Sequence, residues 1–185
     1  MALELDDFST GAYEYTNATE GEEVKAAQTG TMVGGWRLIK ISSNPNVRHQ
    51  PYHVDISNQV VPSGVLTLTV GTTSTVHLGL HYGFGDEQKS APLRLDLSRF
   101  SEFVIDFDCL WWSGTKVNIY YWSADGKRTA FGKEVGRAST SGVRVSMPFQ
   151  DIPPNTNAAN ANDVTKLWFG FTAIAGLSIQ SLALG

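Results

Sequence analysis

The sequence has little charge, and its cations are not concentrated in any segment. Charged residues make up 17% of the 185 residues, below the roughly one quarter that is usual for a soluble domain. The 14 lysines and arginines are scattered singly or in pairs such as Lys127-Arg128, and the formal net charge is −4. Binding to nucleic acid or to an anionic membrane needs a cluster of cations. The composition therefore argues against both as partners.

Cysteine is almost absent. Cys109 is the only one, so an internal disulfide and a Cys-x-x-Cys metal site are excluded, and its apolar neighbours predict a buried, unreactive thiol. No apolar stretch approaches the roughly 20 residues of a membrane-spanning helix. The opening MALELDDF has neither a basic nor an apolar region. We therefore expect no signal peptide within this chain, and an exported origin would require that a leader has been removed.

Helical periodicity is also scarce, and Glu20–Gln28 is the best candidate for a short helical turn. Most of the chain instead alternates apolar and polar residues. In Thr75–Gly83, for example, the apolar side chains at positions 76, 78, 80 and 82 share one face, whereas the histidines at 77 and 81 share the other. This period of two predicts strands with one buried and one exposed face, as in antiparallel sheets.

Short strands of this kind recur along the whole chain, separated by turn signals such as Asp125-Gly126. They are predicted at Leu3–Phe8, Thr31–Ser42, Tyr52–Ser57, Gly64–Val70, Thr75–Gly83, Leu93–Leu97, Ser101–Trp111, Thr115–Ser123, Arg128–Glu134, Val143–Met147, Leu167–Thr172 and Leu177–Leu184. More than ten short strands in one chain favour a sandwich or barrel. We therefore predict a single all-β domain, 1–185, folded as an antiparallel two-sheet β-sandwich of the jelly-roll type.

The residues that face away from the core are the candidates for function. If their strands belong to one sheet, a single exposed surface gathers aromatic, acidic and imidazole side chains, namely His77, His81, Asp106, Asp108, Asn118, Tyr120, Trp122 and Trp168. Trp111 and Trp112 are adjacent, so one of them must also leave the core. Exposing large rings forgoes burial energy of about 1.5–3 kcal/mol each, which favours a ligand that stacks on them. Pyranose rings have flat C–H faces suited to such stacking.

The alternative is that loops cover these rings and make a second small core. Asn44–Gln50 and the Asn-rich stretch Asp151–Asp163 are long enough to supply that cover.

Two acidic pairs are candidates for further chemistry. Asp106 and Asp108 are two apart on a strand, so their carboxylates would share a face about 6.5–7 Å apart, a spacing compatible with acid–base catalysis or with a hard cation. Asp6-Asp7 is a weak candidate for holding a structural calcium, and an exposed acidic turn is the other interpretation. His77 and His81 would stand about 13 Å apart on a strand, too far for one metal.

Several short segments together resemble known β-sandwich domains. They are Asp6-Asp7-Phe8, Val33-Gly34-Gly35-Trp36-Arg37, Gly64-Val65-Leu66, Leu80-His81-Tyr82-Gly83 and Leu95-Asp96-Leu97-Ser98. In this order they resemble exported bacterial β-sandwich domains and, more distantly, the jelly rolls of carbohydrate-binding modules. The resemblance implies glycan binding and a calcium ion between the first and last strands, although the last strand has no carboxylate. The scaffold also looks like that of calcium-dependent cyclases and polysaccharide lyases.

Three functions follow as hypotheses. The first is a non-catalytic glycan-binding module with Trp122, Trp168 and Tyr120 as platforms and Arg37, His77, Trp112 and Asn118 among the ligand-binding residues. The second is a cyclase, lyase or isomerase that uses Asp106, Asp108 or His81 as acid or base in an aromatic pocket. The third is a structural subunit that assembles through exposed edge strands at Leu3–Phe8 and Leu177–Leu184.

Overall fold

The alternation of the sequence appears in the structure as two stacked antiparallel sheets. A computed structural model describes residues 2–17, 24–43, 52–57, 64–70, 75–84, 92–155 and 157–185. These residues form thirteen strands. In chain order they are β1 (Leu3–Asp6), β2 (Tyr13–Asn17), β3 (Val24–Thr29), β4 (Trp36–Ser43), β5 (Tyr52–Ser57), β6 (Val65–Val70), β7 (Thr75–Tyr82), β8 (Glu102–Leu110), β9 (Thr115–Ser123), β10 (Arg128–Val135), β11 (Val143–Pro148), β12 (Val164–Ile174) and β13 (Gly176–Leu184).

The two sheets have six and seven strands. The six-stranded sheet has the order β10-β9-β12-β7-β4-β3, and the seven-stranded sheet has the order β11-β8-β13-β6-β5-β2 with β1 paired to β13. The predicted jelly-roll β-sandwich is therefore confirmed. The helical segments are three single 3-10 turns at Val33–Gly35, Leu97–Arg99 and Phe149–Asp151, so no helix of the described residues is long and apolar enough to cross a membrane.

The core lies between the sheets, where the apolar faces of the strands meet. Phe103 and Phe107 of β8 contact Phe169 and Phe171 of β12 edge to face, with ring centroids 5.5 and 6.0 Å apart. All four rings are buried, and each contributes about 1.5–3 kcal/mol of burial energy. Because apolar side chains fill the space between the sheets, the polar residues that alternate with them along each strand point to the two outer faces.

The structure corrects several local predictions. Val24–Thr29 is a strand that pairs with β4, so a helical turn over Glu20–Gln28 is wrong where the structure describes it, because pairing with a sheet edge outweighs weak helix propensity. The strand Tyr13–Asn17 was not predicted. The predicted strand Leu93–Leu97 is reduced to one bridge between Leu95 and Val164.

The assembly hypothesis required the last strand to be an exposed edge of a sheet, and in the structure it is not. β13 lies inside the seven-stranded sheet and pairs with β8 on one side and with β6 and β1 on the other. Its backbone donors and acceptors are therefore already used within the chain, so Leu177–Leu184 offers no free edge to a second copy.

Candidate functional site

The outer face of the six-stranded sheet carries most of the candidate residues. His77 and His81 of β7, Asn118, Tyr120 and Trp122 of β9, and Trp168 of β12 all belong to the half of the alternation that points away from the buried residues of those strands. The strands are adjacent in the order β9-β12-β7. The structure thus brings these six side chains onto one surface, as the alternation predicted.

A row of small residues crosses this surface at right angles to the strands. The register aligns Gly132 of β10 with Asn118, Asn118 with Gly170 of β12, Gly170 with Gly79 of β7, and Gly79 with Lys40 of β4. Three of these five positions have no side chain. At an interstrand spacing of about 4.8 Å the row is about 19 Å long. We call it the floor row.

Two rows of larger side chains flank the floor row, each two residues away along the strands and so about 6.5–7 Å distant. The aromatic wall consists of Ala130, Tyr120, Trp168, His81 and Leu38. The polar wall consists of Glu134, Lys116, Thr172, His77 and Ser42. Together the three rows form a transverse groove, and its part over β4, β7, β12 and β9 has a volume of about 470 Å³.

The glycines of the floor row determine how the indole of Trp168 lies. A Cβ at Gly79 would stand 2.7 Å from Nε1 of Trp168, and a Cβ at Gly170 would stand 2.7 Å from carbons of its six-membered ring. Carbon atoms in contact prefer 3.5–4.0 Å, so only glycine leaves room for the ring here. The indole therefore lies over the backbone of two strands, and the side chain as a whole is half-buried.

Neighbouring rings hold Trp168 in place. Its ring centroid is 4.5 Å from that of Tyr120 and 5.9 Å from that of His81. Trp122 stacks on Tyr120, with ring centroids 6.1 Å apart, and Phe84 contacts both Trp122 and His81 edge to face at 5.0 Å. All five side chains are half-buried. The rings thus support one another in one continuous aromatic cluster that still reaches solvent, rather than forming a sealed second core.

The polar side of the groove is ordered by one hydrogen bond. His77 Nδ1 and Thr172 Oγ1 are 2.9 Å apart across the strand pair, and burial lowers the pKa of His77. We therefore expect a neutral imidazole at neutral pH. Asn118, Ser42 and Lys40 also line the groove. Nε1 of Trp168 is buried and has no hydrogen-bond partner among the described residues.

Asp106 and Asp108 do not belong to this surface. They lie on β8, in the seven-stranded sheet, so the prediction that they share a face with the tryptophans is wrong. Asp106 accepts hydrogen bonds from Nε and Nη2 of Arg144 at 2.8 and 2.9 Å, and these bonds lower the pKa of Asp106. A general acid needs a raised pKa. The acid–base hypothesis thereby loses both carboxylates from the aromatic groove.

Arg37 lies in the core and not on the binding surface. Its side chain is 0% exposed, and Nη1 forms an ion pair with Oδ2 of Asp6 at 2.6 Å. Three further hydrogen bonds go to Gln28 Oε1 and to the carbonyl oxygens of Thr10 and Gly11. Because the side chain is fully buried, it cannot reach a ligand on the outer face, so its place in the ligand-binding set is wrong. Arg37 is two residues before Ile39 on β4, and side chains two apart on a strand share a face. Because Ile39 is buried, this spacing indicated that Arg37 is buried as well.

Asp6 is the internal partner of Arg37 rather than a metal ligand on the surface. It is 2% exposed, its Oδ1 accepts the N–H of Phe8, and its Oδ2 accepts the hydroxyl of Tyr82 in addition to Arg37. Asp7 instead accepts hydrogen bonds from the backbone and the hydroxyl of Ser9. Among the described residues no group of three or more His, Cys, Asp or Glu side chains is arranged to hold a metal ion.

The adjacent tryptophans and the two predicted covering loops remain to be placed. Trp112 is in the turn between β8 and β9, where its ring lies close to Gly114, and Trp111 beside it is 42% exposed and close to Gly176. Asn44–Gln50, one of the two predicted covering loops, lies outside the described residues. In the other loop, Ala159 is buried and its N–H donates to Thr129 Oγ1, which ties that loop to β10.

The residues of this surface that sequence reasoning missed include Gly79, Gly170, Phe84, Lys40, Ser42 and Lys116. A glycine inside a strand does signal a close approach by another group. The pairing of these particular glycines depends on the register between β7 and β12, which no local pattern specifies.

Comparisons with known proteins give fold neighbours only. No family model matches the chain, and no curated protein matches it. Among solved structures, the family 11 carbohydrate-binding module of the cellulosomal cellulase Lic26A-Cel5E of Clostridium thermocellum has a TM-score of 0.46 and 11% identity, with 100% of this chain and 94% of that chain covered. TmCBM61 in complex with β-1,4-galactotriose has a TM-score of 0.39 and 9% identity, covering 78% and 86%. A non-crystalline cellulose-specific module, CBM28, has a TM-score of 0.38 and 11% identity, covering 71% and 76%.

Proposed function

We propose that the transverse groove is a non-catalytic binding site for a glycan chain. The observation that carries the proposal is the indole of Trp168, which lies down on a glycine floor and is flanked by further rings. A half-exposed ring in this position offers a flat, rigid face at little cost in side-chain entropy. The C–H face of a pyranose is the complement of such a platform.

The shape of the groove favours an extended ligand. The floor row runs about 19 Å across five strands, and it is bounded on both sides by larger side chains. A chain of several sugar rings laid along it would pass over Trp168 and between Tyr120 and Thr172. Affinity is therefore expected to rise with oligosaccharide length until the groove is filled.

The polar groups of the groove suit the hydroxyls of a sugar. Asn118, Ser42 and Thr172 can each donate and accept hydrogen bonds, and His77 is held in place by Thr172. The buried N–H of Trp168 lacks a partner among the described residues, and an unmet donor of this kind costs about 1–3 kcal/mol. A ligand oxygen that reaches it would recover part of that cost.

A glycan-binding assay with two tryptophan variants tests the proposal. Trp168→Ala removes the platform, whereas Trp111→Ala makes the same chemical change at an exposed tryptophan outside the groove. Isothermal titration calorimetry against polysaccharides found by array screening should show about a tenfold or greater loss for Trp168→Ala, since ring stacking and burial exceed 1 kcal/mol. Trp111→Ala should bind as the unmodified protein does.

Two results would contradict the proposal. One is that no glycan binds, and the other is that both variants bind equally well. Thermal unfolding of each variant separates a lost platform from a lost fold, and Trp168→Phe, which keeps a flat ring, should retain part of the affinity.

A further inference from the structure

The scattered cations of the sequence come together on the outer face of the six-stranded sheet. Among its described residues this face carries five cations and one carboxylate. The cations are Lys25, Lys40, Lys116, Lys166 and Arg128, and the carboxylate is Glu134. Because the chain as a whole has a formal charge of −4, this face has the opposite sign to the molecule.

The carboxylates of the strands lie mainly on the opposite side of the sandwich. Asp106 and Asp108 are on β8, and a concavity on that side is lined by Glu4, Asp7 and Asp106 together with Arg144, which forms an ion pair with Asp106. The sandwich is thus electrostatically two-sided. The field of the six-stranded face favours an anionic ligand even though the net charge does not.

Two of the cations, Lys40 and Lys116, stand in the groove, and Lys116 lies opposite Glu134 in the register of β9 and β10. Lys40 ends the floor row next to Gly79, and Lys116 belongs to the polar wall next to Thr172. Neither forms an ion pair with a described residue. Lys40 and Lys116 are three strands apart across the sheet and two residues apart along the strand direction, so their backbones are about 16 Å apart. A ligand that meets both must carry more than one anionic group along its length.

Lys166 and Arg128 add to the positive face above the aromatic wall. Nζ of Lys166 lies 5.4 Å from the ring centroid of Phe84, and the guanidinium of Arg128 lies 5.1 Å from that of Tyr120. Stacking on the rings positions the two charges beside the surface that a sugar would occupy, while their remaining hydrogen-bond donors stay available.

Beside groups that can both donate and accept, the groove contains two groups that can only donate hydrogen bonds. The ammonium of Lys40 and the indole N–H of Trp168 only donate. Glu134 stands at the β10 end of the polar wall, but no carboxylate of the described residues lines the part of the groove over β4, β7, β12 and β9.

Sugar hydroxyls both donate and accept, so Asn118, Ser42 and Thr172 can pair with those of a neutral or an acidic glycan alike. Uronate and sulfate groups accept only and carry negative charge, and they are therefore the better complement to the ammonium of Lys40.

We propose that the glycan held in the transverse groove is an acidic polysaccharide, with uronate or sulfate groups spaced along the chain. This inference rests on the proposed glycan-binding function and specifies its substrate class. A nucleic acid is also a polyanion, but five cations spread over five strands are fewer than nucleic-acid binding usually engages. The platform of Trp168, laid down on glycine, instead suits the flat face of a sugar ring.

Matched ligand pairs test the charge requirement separately from glycan binding. Polygalacturonate is compared with its methyl ester, and a sulfated galactan with its desulfated form, by titration calorimetry at low and high NaCl. A single-stranded oligothymidylate is the third probe. We expect the acidic member of at least one pair to bind more tightly than its neutral partner, with an advantage that shrinks as salt is raised.

Lysine variants localise the effect to the groove. Lys40→Met should weaken binding of the acidic member about fivefold, the upper range for a half-exposed ion pair, and should weaken binding of the neutral member by a smaller factor, because only the acidic member loses a charge pair. Lys127→Met is the control, because it alters the net charge equally at the exposed β9–β10 turn, where Lys127 pairs with Asp125.

The outcomes separate the two proposals. If neutral and acidic members bind equally, or the neutral member binds better, the charge inference is overturned while glycan binding stands. Equal effects of Lys40→Met and Lys127→Met, or oligothymidylate binding as tight as that of the acidic glycan, also overturn it. If no polysaccharide of either kind binds, the proposed function fails as well.

Discussion

The glycine floor beneath Trp168 leads to a sharp prediction about Gly170→Ala. A Cβ at position 170 would stand 2.7 Å from two carbons of the indole, against a preferred contact of about 3.5–4.0 Å. The ring must therefore move by about 1 Å. Nε1 faces Gly79 equally closely and Tyr120 packs beside the indole, so the ring cannot shift without disturbing the cluster.

The expected change in the free energy of unfolding of Gly170→Ala combines two opposing contributions. Overpacking costs about 1–3 kcal/mol, and replacing glycine by alanine recovers about 0.4–1 kcal/mol by restricting the unfolded chain. Gly170→Ala should therefore be less stable by about 1 kcal/mol, which for a chain of this size lowers Tm by about 2–4 °C. Because the platform is displaced, glycan affinity should fall about tenfold.

Gly142→Ala is the matched control, because a Cβ there meets nothing within 4 Å and the backbone is not in the left-handed region. It should bind normally and be slightly more stable. Thermal unfolding, tryptophan fluorescence and titration calorimetry on both variants complete the assay. If Gly170→Ala melts, fluoresces and binds as Gly142→Ala does, the indole does not depend on the glycine floor and the reasoning is wrong.

Two further predictions concern charges away from the groove. Arg37→Met should cost about 3–5 kcal/mol in urea unfolding, because Asp6 would remain buried without its cation; a change of about 0.5 kcal/mol, typical of surface positions, would contradict the buried ion pair. Arg144 lowers the pKa of Asp106, so their pairing stabilises the fold above the carboxyl's ordinary pKa and is lost as pH falls through the lowered one. Asp106→Asn should therefore be slightly less stable than the unmodified protein at pH 7, with the difference vanishing in acid, and its glycan affinity should not change; a loss of binding would return Asp106 to the site.

The alternation of apolar and polar residues within each strand was enough to predict which side chains point outward. The outward placement of His77, Tyr120 and Trp168 follows from apolar neighbours on either side of each, since successive side chains of a strand point to opposite faces. The same rule, applied to β4, puts Arg37 on the side of Ile39, and a ligand role was assigned to it on residue type instead. The donors of Arg37 suggested a ligand-binding role, whereas the alternation along β4 indicated that the side chain is buried.

The alternation within a single strand does not predict which strands pair or in which register. Asp106 has the right alternation for an outer face, but only the sheet order shows that this is the face opposite Trp168. The alignment of Gly170 with Gly79 and Asn118 likewise depends on the register of three strands. Register is determined by the packing of whole sheets, and short degenerate strands specify it weakly.

The amino-acid sequence by itself determined the all-β architecture and the side of each strand that is buried, because both depend on a period of two residues and on turns. It also determined that large rings would be left outside the core. Tertiary structure alone decided which outward residues meet, because sheet order and register are set by long-range packing. That is why cations scattered through the chain converge on the aromatic groove, while the carboxylates expected there lie on the far side.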